Sequence, residues 1–422
     1  MVKMKDTGIE WIGEIPENWS LKKFKYNLSV HEIKGYGDKE VLSLYRELGI
    51  IPKNSRDDNH NVTSEDTSKY KLVRIGDFAI NKMKAWQGSV AVSNYEGIVS
   101  PAYYVYEFTN KTINKKYFHH LMRNKRLADE FRRISGGIRE GQWDLGRTEF
   151  ENLYLPFPPI DTQNRIADLL DAKCAKIDSL KNDIEKQIEI LEQYKKSEIT
   201  EAVTKGITSD VKMKDSGIEW IGEIPEHWKT KRAKYIFTPR NDRGNKIELQ
   251  LLSPTQKYGV IPQALYDEIS GMNSVKLKEN TDLNLLKTCH KGDYCISLRS
   301  FQGGFEYSKY EGVVSPAYQI FYPTIKISDG YYKYLFKEKN FIEKINSFTL
   351  SLRDGKPISY FDFSNMYLPL PSAEEQKEIA DYLDSKCTAI DNIINSKKQQ
   401  LEKLEEYKKS LIFEYVTGKR EV

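Results

Sequence analysis

"MKDTGIEWIGEIPENW" occupies residues 4–19, and "MKDSGIEWIGEIPEHW" occupies residues 213–228. Extended to Met4–Tyr26 against Met213–Tyr235, the match covers 23 positions, of which 17 are identical. Further matches follow in the same order in both halves. "YEGIVSPAYYVY" (95–106) answers to "YEGVVSPAYQIF" (310–321), and "LYLPFPP" (153–159) to "MYLPLPS" (366–372). "QNRIADLLDAKCAKID" (163–178) answers to "QKEIADYLDSKCTAID" (376–391), and "YKKS" recurs at 194–197 and 407–410. A period of about 210 residues is far longer than that of any solenoid repeat, so the chain is a duplicated domain and not a short-repeat array. Ten residues separate Val203 from Met213, and the same count separates Val416 from Met4 if the ends are joined into a ring. That spacing predicts a C-terminus close to the N-terminus and halves related by a pseudo-two-fold axis.

Between the matches the halves diverge, most fully over 27–75 and 236–291. One frame with two variable inserts suggests one architecture used for two specificities. Residues 161–204 carry apolar residues at Ile166, Leu170, Ile177, Ile184, Ile188 and Leu191. Residues 374–416 carry them at Ile379, Leu383, Ile390, Ile394, Leu401, Leu404 and Leu411. These spacings are a coiled-coil seam. Proline and acids mark each helix start, and glycine marks each stop. Helices of this length, roughly 66 Å, need a partner in water, and the symmetry makes the pair antiparallel. Cys174 and Cys387 hold equivalent places in the seam. The inserts read as mixed α/β: "FAINKM", "SPAYYVYEF", "YCISLRS" and "SPAYQIFYP" alternate as strands, and 115–135 and 329–347 read as helix. Trp11 and Trp220 are expected to pack near helix ends. The expected class is α+β: two α/β recognition domains (1–160 and 207–373) separated by two antiparallel coiled-coil helices (161–206 and 374–422).

The composition bounds the function. Charged residues make up 30% and apolar residues 39% of the chain. No apolar run is long enough to span a membrane, the N-terminus lacks a signal-peptide core, and four cysteines suit a reducing cytoplasm. Net charge is only +4, yet residues 20–150 hold 23 Lys and Arg against 16 Asp and Glu, and residues 229–363 hold 21 against 14. Two basic blocks in an acidic frame attract polyanions. No Walker A loop, His-Glu-x-x-His motif or Asp/Asn-Pro-Pro-aromatic tetrad occurs, and no carboxylate pair stands out as an acid–base couple. "CHKGDYC" (289–295) has poor zinc spacing and no counterpart in the first half, so no metal site is expected.

Two pairs of loops carry the candidate chemistry. "NKMKAWQG" (81–88) and "SLRSFQGG" (297–304) each join a cation, an aromatic, a glutamine and a glycine at one turn. Lysine, arginine and glutamine read base edges or grip phosphates, and glycine lets the backbone approach. "GGIREGQW" (136–143) and "LSLRDGKP" (350–357) each place an arginine before an acid and a glycine. The candidate DNA-binding residues are Lys82, Lys84, Trp86, Gln87, Arg139, Gln142, Arg299, Ser300, Gln302 and Arg353. A structural hairpin and a plain surface turn are the competing readings of these loops.

The order "GIEWIGEIPE[NH]W", variable insert, "SPAY", "LP[FL]P", glutamine and long helix, all written twice, resembles the specificity subunit of type I restriction-modification systems, over essentially the whole chain. The resemblance carries over the frame residues Trp11, Gly13, Pro16 and Trp19, with Trp220, Gly222, Pro225 and Trp228. It implies that each insert is a target recognition domain reading one half of a split site in double-stranded DNA. It also implies a non-catalytic chain that binds two methyltransferase subunits and restriction–translocase subunits. S-adenosylmethionine, ATP and Mg²⁺ would then sit on those partners and none on this chain. Two other readings compete: a methyltransferase or nuclease fused to its own specificity domain, and a coiled-coil scaffold with no nucleic-acid role.

Overall fold

The computed structural model describes residues 3–46, 48–55, 66–137, 143–244, 249–271, 282–297, 304–328, 330–348 and 358–422. The chain divides into two units, Met1–Glu185 with Lys398–Val422, and Lys186–Lys397. Each unit therefore takes one end of each long helix.

The first unit is built on a four-stranded antiparallel sheet. Its strands are β1 (Leu28–Val30), β3 (Phe78–Asn81), β4 (Val90–Val92) and β6 (Tyr103–Phe108), in the order β1-β6-β3-β4. A two-stranded ladder, β2 (Lys71–Val73) with β5 (Gly97–Val99), accompanies it. The second unit repeats the plan. β7 (Phe237–Arg240), β9 (Tyr294–Ile296), β10 (Phe305–Tyr307) and β12 (Gln319–Pro323) lie in the order β7-β12-β9-β10, with β8 (Lys287–Cys289) paired to β11 (Gly312–Val314). Inserts that share almost no sequence thus share strand order. Alternating side chains put Phe78, Ile80 and Tyr106 into one core of the first unit, and Ala79, Val105 and Tyr103 into another on the opposite face.

The segments 115–135 and 329–347, expected as single helices, are each two. In the first unit they are α1 (Lys115–Met122) and α2 (Lys125–Arg133), and in the second α4 (Tyr331–Leu335) and α5 (Lys339–Ser347). The break is a cap. Asn124 accepts from Leu127 N at 3.0 Å, and Glu338 accepts from Phe341 N at 2.7 Å. A buried side chain that satisfies a free N–H of the next helix restarts the chain in a new direction.

The long helices are α3 (Ile160–Lys205) and α6 (Ala373–Val416). In the first unit Asp178 pairs with Lys408 at 2.6 Å and Lys181 with Glu405 at 2.7 Å. In the second unit Gln187 accepts from Lys397, and Lys195 pairs with Asp391 at 2.6 Å. One index rises as the other falls, so the helices run antiparallel within each unit. Cys174 and Cys387 are buried. Toward the helix ends Ile166, Leu170, Ile379, Leu383 and Leu411 are buried, whereas Ile184, Ile188, Leu191, Leu401 and Leu404 are half-buried. Ile177 is buried in the first unit's core, and Ile390 and Ile394 are buried without belonging to either core, so the seam closes fully over part of its own length as well.

The repeated motifs form the frame that docks the helices. The strand Ser20–Lys23, just after the opening motif, pairs with Tyr154–Phe157 of "LYLPFPP", and Lys229–Arg232 pairs likewise with Tyr367–Leu370. The repeated glutamine is buried. Gln163 donates to Pro158 O at 2.9 Å and accepts from Asn114 N at 2.9 Å; Gln376 donates to Pro371 O at 3.0 Å and accepts from Ser328 N at 3.0 Å. At the other helix end, Tyr331 donates to Val203 O at 2.6 Å, and the Tyr117 hydroxyl lies 3.1 Å from Val416 O. Gly206 and Gly418 stop the helices with φ of 79° and 69°. The tryptophans at those stops are Trp228 and Trp19, the second of each motif. Trp11 and Trp220 are buried in the same two cores, Trp220 with its ring edge against Phe341. Lys419 donates to Ile12 O at 2.8 Å, so the turn that follows α6 lies on the N-terminal motif within the first unit.

Candidate nucleic-acid interface

In the first unit the candidate loop joins β3 to β4. Asn81 starts the turn by accepting from Met83 N at 3.1 Å. A 3₁₀ turn, Ala85–Gln87, follows and closes on Gly88, whose φ of 85° disfavours any residue with a side chain. Ala85 is buried as the plug, and the turn rests on α2, with Ala128 beside Gly88.

The four described candidates have different employment. Lys82 is paired with Asp144 at 2.7 Å, and this contact holds its ammonium above its ordinary pKa. Its carbonyl accepts from Leu145 N at 3.0 Å, so Lys82 ties the strand Asp144–Leu145 to the loop. Trp86 donates to Met83 O at 3.2 Å and meets Trp143 edge to face at 5.5 Å. The Arg132 guanidinium lies 5.2 Å from the Trp143 ring. Lys84 is exposed and Gln87 half-buried, and neither side chain has a partner among the described residues. The turn therefore offers an uncommitted cation and an amide beside an aromatic–arginine wall. Arg139, Gln142, Arg299, Ser300, Gln302 and Arg353 lie outside the described residues.

Other groups line the same sheet. Tyr104 donates to Leu145 O at 3.3 Å, and burial raises its pKa. Lys71 lies 5.9 Å from the Tyr104 ring and pairs with Glu32 at 2.8 Å. Arg147 pairs with Glu151 at 2.7 Å. Sequence reading missed Arg132, Trp143, Tyr104 and Lys71. Trp143 closes the quoted "GGIREGQW" but is not among the candidates; the placement of the other three is tertiary.

In the second unit Gln319 stands where Tyr104 stands in the first, donating to Ile358 O at 3.0 Å and accepting from Tyr360 N at 2.7 Å. Arg240 grips Asp293 through two nitrogens, at 2.8 and 3.1 Å, and its guanidinium lies 4.2 Å from the Tyr322 ring. In "CHKGDYC" both thiols are buried, which pushes Cys289 up to about 12, and His290 faces Glu311 at 2.9 Å. Among the described residues no three His, Cys, Asp or Glu side chains gather as metal ligands, and no helix is long and apolar enough to cross a membrane.

Comparison with known proteins agrees with this duplicated plan. Residues 17–190 and 225–406 each match the profile described as type I restriction modification DNA specificity domain. The putative type I restriction enzyme MjaX specificity subunit of Methanocaldococcus jannaschii is 27% identical, over 97% of this chain and 95% of that protein. The MjaVIII specificity subunit of the same organism is 26% identical, over 96% and 93%. Among solved structures, a chain from a study of complex assembly and conformational transition of the type I R-M system superposes with a TM-score of 0.68, over 95% of this chain and 98% of that one, at 13% identity. The HsdS subunit from Thermoanaerobacter tengcongensis superposes at 0.53, over 98% and 100%, also at 13% identity. With both halves matching one profile and whole-length relatives on either side, the chain belongs to the type I restriction-modification DNA specificity family, as a non-catalytic, sequence-recognising subunit.

Proposed function

We propose that each unit reads one part of a bipartite site in double-stranded DNA, and that the chain directs partner methyltransferase and restriction subunits there. The observation that carries this reading is the pair of sheets with one strand order and unrelated loops. A shared frame bearing different readers suits a site whose two parts differ in sequence, with the long helices joining the readers. In the first unit Lys84 and Gln87 contact DNA beside the Trp86–Trp143 wall, and Lys82 holds that wall through Asp144. Arg139, Gln142, Arg299, Ser300, Gln302 and Arg353 are proposed as further contacts. Two methyltransferase subunits and restriction–translocase subunits complete the assembly in the cytoplasm. S-adenosylmethionine, ATP and Mg²⁺ act on those subunits, and the base is flipped out of the duplex there.

The test is a map of methylated bases made with the partner subunits present. Lys84→Ala with Gln87→Ala should relax one part of the recognised sequence and leave the other intact. A contiguous site, or relaxation of both parts together, would count against two independent readers. Methyl transfer from labelled S-adenosylmethionine by the purified chain alone would show an enzyme instead.

A further inference from the structure

Both units bury a lysine at the same place. Lys71 in β2 and Lys287 in β8 are 5% and 7% exposed. Each donates to the carbonyl of the "SPAY" tyrosine, Tyr103 or Tyr318. The neighbouring backbone is also matched: Leu72 N donates to Ile33 O, and Thr288 N to Asp242 O. That register sets Glu32 against Asn241 and Lys34 against Arg243 as equivalent positions.

The chemistry differs at two of these consecutive positions, Glu32 becoming Asn241 and Ile33 becoming Asp242. In the first unit the Glu32 carboxylate lies 2.8 Å from Lys71, with Lys34 close enough to help hold that carboxyl below its usual range, though Lys71 does most of this. In the second unit the equivalent residue is the neutral Asn241. Arg243 stands directly opposite Lys287 in an antiparallel bridge. Like charges in directly opposed positions destabilise a sheet. Among the described residues no carboxylate lies within ion-pair distance of either cation. Asp242, one residue along, faces His290 at 4.0 Å. Burial, and after it the Arg243 charge, lowers the Lys287 pKa. Two cations are thus set together where their counterparts flank a carboxylate, and among the described residues no anion is supplied.

We propose that Lys287 and Arg243 hold a phosphate of the DNA backbone in the place that Glu32 fills in the first unit. The proposal rests on the reading that this unit binds DNA. A phosphodiester brings one negative charge and oxygens able to accept from the ammonium and the guanidinium together. Lys287 spends one of its three donors on Tyr318 O, which leaves two for the phosphate. The first unit, with Glu32 in place, makes no such contact there.

The experiment measures affinity of the full chain for a random-sequence duplex across a salt series. Each phosphate held contributes about −0.9 to the slope of log affinity against log salt. Arg243→Gln and Asn241→Glu should each flatten that slope by about one and weaken binding about tenfold at low salt. Asn241→Glu recreates the first unit's ion pair, so its melting temperature should hold or rise, which separates lost contact from lost fold. Unchanged slopes in both variants, beside a steeply salt-dependent parent, would overturn the phosphate site and leave the DNA reading standing. A parent without salt-dependent binding would overturn the reading itself, and this site with it.

Discussion

The cores of the two units hold the same aromatic cage but fill its centre from different places in the chain. In the first unit Phe24, on the turn before β1, lies 4.9 Å from Tyr106, 5.8 Å from Phe78 and 4.5 Å from Phe150, centroid to centroid. In the second unit Ala233 holds the position of Phe24, and the ring comes from Phe237 at the start of β7, where the first unit has Leu28. Phe237 lies 5.3 Å from Phe321, 5.5 Å from Tyr294 and 6.0 Å from Phe363. What is kept is a filled volume, not a residue number, as expected of interiors packed to crystal density. The variable inserts are therefore free in sequence only where they do not touch the frame.

That equivalence can be broken most sharply by truncation. Phe24→Ala and Phe237→Ala should each cost about 3–5 kcal/mol in denaturant unfolding. Phe24→Ala combined with Leu28→Phe copies the second unit's arrangement and should recover most of the loss. Pairs in contact are not additive, so recovery is the diagnostic sign. A double variant no more stable than Phe24→Ala would show that the two cages are not interchangeable.

The units should also part company in pH. Glu306 in β10 is buried, which pushes its carboxyl up to about 7 even with Lys337 at 2.6 Å. Its equivalent in β4 is Ala91. A raised carboxyl favours the neutral acid, so its contribution is complete below about pH 4.5 and is lost as pH rises through 7. At 1.36 kcal/mol per pKa unit the effect is about 3 kcal/mol. In the first unit burial pushes His119 down to about 3. A depressed imidazole favours the neutral ring, so its contribution is complete above about pH 6.5 and is lost as pH falls toward 3. Between these limits the local stabilities, followed by hydrogen exchange, should slope in opposite directions. Glu306→Gln should flatten the second unit alone.

The repeated frame should respond alike on both sides. Gln163→Ala and Gln376→Ala each strand a buried proline carbonyl and a backbone N–H, at a cost of about 1–3 kcal/mol. Near-equal losses in unfolding experiments are expected, and a difference above about 1 kcal/mol would show that the second helix is docked differently from the first.

Legibility in the sequence followed the same division. The repeat, the helix stops at Gly206 and Gly418 and the antiparallel pair were readable because local chemistry specifies them. The breaks at Asn124 and Glu338 were hidden, since a buried capping side chain looks like any polar residue in a helical stretch. The common strand order of the inserts was invisible because Phe24 and Phe237 do not align. At the candidate loop, residue types pointed to a turn, but only the fold shows that Lys82 is spent on Asp144 while Lys84 has no partner among the described residues. Nothing in the sequence marks Lys71 and Lys287 as buried; the tyrosine carbonyls that their ammonium groups meet are brought to them only by tertiary structure.

The smallest difference belongs to the helix pair. Lys408 with Asp178 in the first unit and Lys195 with Asp391 in the second are matched ion pairs at 2.6 Å, with the aspartates about half exposed. Exposed pairs repay little once side-chain ordering and salt screening are counted, so removing either should cost about 0.5 kcal/mol. Asp178→Asn and Asp391→Asn should lower stability by this amount in low salt and by less in high salt, with no distinction between units. A loss above about 2 kcal/mol at either aspartate would mean that the pair is fixing helix register, as a buried polar contact does in a coiled coil, and that register has a side-chain determinant beyond the apolar seam.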